Sequence, residues 1–109
     1  MKVLAVVLSR IADVYVANDD ETMRRLFAEV EPSLVIFDHQ DPADIFLLNP
    51  RRFGYRGPLL LLTADREPQT AIAILEADHW LRKPIDVMLI DTLTSRIIEI
   101  EETAGSNNH

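Results

Sequence analysis

Leu59-Leu60-Leu61-Leu62-Thr63 is the stretch that decides the fold. Four consecutive leucines show no alternation, so both sides of a pleated strand are apolar here. That is the pattern of a central strand in a parallel sheet covered on both faces. Two further runs have a similar character: Leu34-Val35-Ile36-Phe37-Asp38, and Trp80-Leu81-Arg82-Lys83 followed by Pro84. Each run ends on a residue that carries chemistry: Asp38, Thr63 and Lys83. In an open parallel sheet the carboxyl ends of the strands line up along one edge, and ligands bind there. A carboxylate, a hydroxyl and an ammonium at one such edge can form and hold a phosphoryl group.

Between these runs lie amphipathic stretches, the βαβ pattern. Val14-Tyr15-Val16-Ala17 reads as a short strand. Asn18-Asp19-Asp20 offers N-cap oxygens to a helix from about Glu21 to Val30, with Met23, Leu26, Phe27 and Val30 on its apolar face and Pro32 beyond its end. Asp41-Pro42 opens a second helix carrying Ile45 and Leu48, which Asn49-Pro50 stops. Residues 51–58, with Gly54 and Gly57, read as a loop. Glu67-Pro68 opens a third helix with Ala71, Ile72 and Leu75 inward. Asp86 caps a long last helix with Leu89, Ile90, Leu93, Ile97 and Ile100 on one side. The expected architecture is a doubly wound parallel α/β sheet with right-handed crossovers and helices on both faces. Residues 1–102 form one domain and 103–109 a polar tail.

Composition narrows the function classes. The chain has 109 residues, enough for one core, and 48% of them are hydrophobic. It has no cysteine, which excludes a disulfide scaffold and a thiolate zinc site and fits a cytoplasmic protein. The net charge is −7 and the pI is near 4.8, against nucleic acid as a direct partner. The apolar start, Val3 to Leu8, is too short to span a bilayer and lacks a signal-peptide cleavage site.

As a set, Asp38, Thr63-Ala64, an aromatic Trp80 and Lys83-Pro84 at strand ends resemble the receiver domain of two-component response regulators, a flavodoxin-like (CheY-like) fold. The resemblance runs from about Ala12 to Glu102 and is best matched from Leu59 to Pro84. It implies that Asp38 is the phosphoacceptor, that the Thr63 hydroxyl turns toward the phosphoryl group, and that Lys83 pairs first with the carboxylate and then with phosphate. Pro84 matches the cis-proline, Ala64 the small residue beside the acyl phosphate, and Trp80 the switch aromatic. It also implies a signalling module rather than an enzyme, with a sensor kinase or effector protein as partner. An aspartate can take a phosphoryl group as a mixed anhydride. The added charge near −2 needs a mobile cation such as lysine and a rotatable hydroxyl.

The family's acidic pair after the first strand, which holds Mg²⁺, has no counterpart in Val3-Leu4-Ala5-Val6-Val7-Leu8-Ser9-Arg10. That start is too short for both a first strand and a first helix, so one of them is missing. Either residues 2–10 are the shortened first helix, or Val3–Leu8 is a strand. The metal candidates are then Asp38 with Asp19 or Asp20, against helix capping for the latter two. An incomplete sheet leaves room for homodimerisation or strand exchange. His39 reads as a loop side chain, and Phe53 as the anchor of a solvated loop. The sequence therefore supports an atypical receiver acting in a phosphorelay through protein contacts. The alternatives are a working Mg²⁺-dependent phosphoacceptor and, last, a small-molecule-binding module, which three glycines hardly supply with a phosphate loop.

Overall fold

The computed structural model describes residues 12–106, with side chains to residue 101. Residues 1–11, over which the two readings of the first element divide, lie outside it. The described elements, in chain order, are α1 (Asp20–Glu29), β1 (Val35–Asp38), α2 (Asp44–Leu47), a 3-10 turn (Pro50–Phe53), β2 (Leu59–Thr63), α3 (Gln69–Leu75), β3 (His79–Arg82) and α4 (Val87–Ser106). They fall into two compact units, residues 17–84 and residues 12–16 with 85–106.

The first unit holds the sheet. Its strands run in the order β1-β2-β3 and both pairs are parallel. Val35 lies opposite Leu59 and Asp38 opposite Leu62, while Leu61 lies opposite Trp80 and Thr63 opposite Arg82. All five residues of β2 are fully buried, as their unbroken apolar run predicts. Leu59 and Leu61 share one face with Phe37, and Ile45 of α2 with Ala71 and Leu75 of α3 close over them. Leu60 and Leu62 point to the other side of the pleat and are equally shielded.

α1 starts where the capping residues place it: the Asp19 carboxylate accepts the Thr22 N–H at 2.7 Å. Met23 and Phe27 lie one turn apart. The Phe27 ring meets Phe53 at 6.1 Å and Tyr55 at 5.7 Å. Those two aromatics come from the segment expected to be a loop. Instead, Asn49 caps a turn of 3-10 helix by accepting the Arg51 N–H at 3.0 Å, Pro50 occupies its first position, and Gly54 closes it at φ 91°. Tyr55 is buried and donates its hydroxyl to the Pro58 carbonyl at 2.6 Å. A Cβ added at Gly57 would stand 2.5 Å from this hydroxyl and 2.8 Å from the ring carbon that bears it, so a side chain there would have to displace the tyrosine.

Arg51 holds this segment to the sheet. Its guanidinium donates to four backbone carbonyls, those of Leu75 at 3.0 Å, Tyr55 at 3.3 Å, Gly57 at 2.7 Å and Glu76 at 2.6 Å. It also reaches Asp78 at 3.5 Å. Asp78 in turn accepts the Leu59 N–H at 2.9 Å, at the first residue of the central strand. One planar fork of donors thus ties the C-terminal end of α3 to the entry of β2, a geometry that lysine does not match.

Two expectations are corrected. Residues 14–17 are not a strand; Val14, Tyr15 and Val16 are exposed, Val16 at 62%. A strand exists through its ladder, and the sheet holds no partner for this segment among the described residues. The second helix is shorter than its Asp-Pro start suggests. The Asp41 carboxylate accepts the Ala43 N–H at 3.0 Å, which makes a turn, and α2 begins only at Asp44.

In the second unit, Asp86 caps α4 as expected, accepting the N–H groups of Met88 at 3.0 Å and Leu89 at 3.3 Å. Ile90, Thr94 and Ile97 form the buried stripe at i, i+4, i+7. Leu89 and Ile100, expected on that side, are exposed. The backbone helix continues through Gly105 to Ser106, within the segment expected to be a polar tail.

Replacing Arg51 by Ala strands several half-buried carbonyls and should lower the unfolding free energy by about 2–4 kcal/mol in urea titrations. Arg51→Lys should recover less than half of that, because an ammonium cannot make the same fork. Leu61→Ala should cost about 2–5 kcal/mol by the same measurement.

Candidate functional site

The parallel register brings the chemistry-bearing residues to one edge. Asp38 closes β1, Thr63 closes β2, and Lys83 follows β3 directly. Pairing continues past the strands: the His39 N–H bonds the Leu62 carbonyl, and the Lys83 N–H the Thr63 carbonyl, each at 2.9 Å. Lys83 then passes through a cis peptide bond to Pro84. The three residues singled out in the sequence are therefore neighbours on adjacent strands.

Their side chains form a connected set. The Lys83 ammonium makes an ion pair with Asp38 Oδ1 and donates to the His39 carbonyl at 3.1 Å. Gln40 Nε2 donates to the other Asp38 oxygen at 3.0 Å. Both members of the ion pair are partly shielded from water, which strengthens their attraction over that of a surface pair. Thr63 is 0% exposed. Its hydroxyl oxygen accepts the Asp65 N–H at 3.1 Å and lies 3.1 Å from His39 Nδ1.

Two participants were not anticipated. His39 was expected to be a loop side chain, but its ring turns in to Thr63 and tilts against Phe37 at 6.4 Å between centroids. Gln40 is the other. The signal for both was their place directly after Asp38, where the strand end turns the chain back over the edge. Trp80 stands on β3, 40% exposed, with the Arg82 guanidinium 5.2 Å above its ring. Arg82 also donates to the Asp65 carbonyl at 2.6 Å. Trp80 is therefore linked through Arg82 to the segment that follows Thr63.

Asp19 and Asp20 are engaged elsewhere. Asp19 is the helix cap described above, and the Thr22 N–H it accepts holds its carboxyl below the ordinary carboxylate value. Asp20 pairs with Arg24 one turn along α1 at 3.5 Å. Among the described residues no three His, Asp or Glu side chains gather as a metal-binding group, and Met1–Ile11 contains no Asp or Glu. Mg²⁺ takes octahedral oxygen ligands, one or two of them carboxylates. Here Asp38 supplies a single carboxylate whose oxygens already have cationic and amide partners. The residues present do not fit the two-acid Mg²⁺ site that the resemblance implies.

No protein-family model matches the sequence. The regulatory protein AtoC of Escherichia coli K12 is 26% identical over 102 residues, an alignment covering 89% of this chain and 22% of AtoC. The chain thus spans about a fifth of that relative's length. A response regulator receiver protein from Burkholderia phymatum superposes with a TM-score of 0.68 at 24% identity, over 90% of this chain and 85% of the other. A structure described as a novel family of redox sensors in the streptococci, evolved from two-component response regulators, superposes with a TM-score of 0.73 at 11% identity. It covers 99% of this chain and 50% of that one. The fold is the flavodoxin-like α/β fold of a response-regulator receiver domain. No helix among the described residues is long and apolar enough to cross a membrane.

Asp19 stabilises α1 as a carboxylate. Because its folded-state pKa is lowered, its contribution is complete above the unfolded-state value and is lost as the pH falls through the folded-state value. Asp19→Ala should therefore lower stability at pH 7, and the difference from the wild type should vanish in strong acid. Chemical denaturation followed from pH 7 down to pH ~2 checks this. At the ion pair, Lys83→Ala leaves the Asp38 carboxylate without its cation and should destabilise the fold. Lys83→Ala combined with Asp38→Asn should be closer to the wild type than the sum of the single changes, read as a double-mutant cycle.

Proposed function

We propose that this chain is an atypical receiver: a protein-interaction and dimerisation module of phosphorelay signalling whose acceptor site is kept while the metal-binding acids are not. The observation that carries this reading is that Asp38, paired with Lys83 at the strand-end edge, gathers no metal-binding group of acids or histidines around it among the described residues. That edge lies in a fold shared with a solved receiver. Phosphoryl transfer between anions leans on a divalent cation to neutralise the developing charge. The donor set here gives such a cation one carboxylate, so the site favours slow or absent phosphorylation. Its output is made through protein contacts, with a sensor kinase or effector as partner and a second copy as the expected homodimer.

A second reading, a working phosphoacceptor, is favoured by the same ion pair, because Lys83 is placed to follow a new negative charge on Asp38. Beryllofluoride, a mimic of the acyl phosphate, separates the two. Trp80 is the only tryptophan in the chain, so its fluorescence can report the site. The atypical reading expects adduct at millimolar Mg²⁺ only as beryllofluoride approaches saturation, by intact mass or by Trp80 emission. A stoichiometric adduct at micromolar beryllofluoride, abolished in Asp38→Asn, would overturn it in favour of the working acceptor. Light scattering at micromolar protein tests the dimer, and a monomer there removes that part of the proposal.

A further inference from the structure

The Thr63 hydroxyl has one proton, and the structure constrains where it goes. Its oxygen already accepts the Asp65 N–H, and its neighbour on the other side is His39 Nδ1. A neutral imidazole carries its proton on one nitrogen or the other. With the proton on Nδ1, the ring donates to Thr63. The threonine proton is then left without a described partner in a fully buried position, and Nε2 is a bare lone pair. With the proton on Nε2, Thr63 donates to Nδ1 and a single group is left over, the Nε2–H, which is buried and unpaired among the described residues. Buried donors without partners are rare and costly. The second arrangement has fewer of them, so Nδ1 is the acceptor and the Thr63 proton is committed to His39.

The same residue engages the second donor of the site. The His39 carbonyl accepts from the Lys83 ammonium at 3.1 Å. An anion on Asp38 would call on both the hydroxyl and the ammonium, and at rest both are turned to one residue. The unpaired Nε2–H also means that the inward ring position is held at a cost. A ring that swings out to water gains a partner for that N–H and releases Thr63 in the same movement.

We infer that His39 is a resting-state latch on the site: its ring retains the Thr63 proton and its carbonyl competes for Lys83, so an anion at Asp38 must displace His39 to gain its donors. The inference rests on reading Asp38 as the seat of an anionic group, and it supplies a further reason for a quiet site. It makes His39 a positioning residue, because it acts through Thr63.

The test uses the full chain. In ¹⁵N-histidine spectra of the wild type, His39 should show the Nε2–H tautomer with Nδ1 as acceptor. Saturating beryllofluoride and Mg²⁺ should move its resonances to those of a solvated ring. His39→Phe keeps a ring beside Phe37 and removes the acceptor. It should take the adduct at roughly tenfold lower beryllofluoride than the wild type, the scale of one hydrogen bond. His39→Asn, whose Oδ1 can accept where Nδ1 did, should return toward the wild-type midpoint. In a Thr63→Ala background the His39→Phe gain should disappear, and circular dichroism confirms that each variant is folded. An Nδ1–H tautomer overturns the latch. So does an adduct that forms at the same concentration in wild type and His39→Phe, which leaves the acceptor reading standing. Absence of adduct from both at saturation overturns the latch together with the acceptor reading.

Discussion

Everything in the sheet unit depends on one strand being dry on both sides. β2 has no exposed residue, so it must be paired on each edge and covered on each face. A leucine withdrawn from water gains about 1.5–3 kcal/mol, and four in a row make the position of this strand the least negotiable in the molecule. Its neighbours inherit their register from it. Once Leu59 sits opposite Val35 and Leu61 opposite Trp80, the ends of the three strands coincide. Asp38, Thr63 and Lys83 then have no choice but to meet.

The site is built from what that edge leaves unsatisfied. A carboxylate shielded at a strand end needs a cation, and Lys83 supplies it. A hydroxyl with no exposure needs a partner for its proton, and the ring of His39 lies 3.1 Å away. The side of the sheet entry is closed in a different way, by the Arg51 fork over carbonyls at the end of α3 and in the Tyr55–Gly57 segment. One end of the sheet is therefore fastened by a side chain acting as scaffold, while the other carries the polar cluster of Asp38, His39, Thr63 and Lys83.

Local sequence is a good guide where a residue's neighbours in the chain are also its neighbours in space. The Asp19 cap, the Met23–Phe27 face, the Asp86 cap and the leucine strand all follow from that. It is a poor guide where a segment's fate depends on a distant partner. Val14–Ala17 has the composition of a strand but no ladder among the described residues. Residues 50–53 look like loop because their helical turn is held by Asn49, Gly54 and the aromatic contact with Phe27, none of which is a periodic signal. His39 is one residue from Asp38, and nothing local says which way its ring turns.

The sequence by itself determined the type of sheet, its three described strands and the residues at their ends. Those follow from unbroken apolar runs, Pro and Asp punctuation, and the residues that stop each run. Tertiary structure decided which polar groups are partners. The Lys83 ammonium is divided between Asp38 and the His39 carbonyl, Asp19 and Asp20 are spent on α1, and the Thr63 proton is held by a histidine. The physical reason is that apolar burial is a property of a residue type and can be read along a chain. A buried hydrogen bond is a property of a pair, and it exists only when folding brings that pair within about 3 Å.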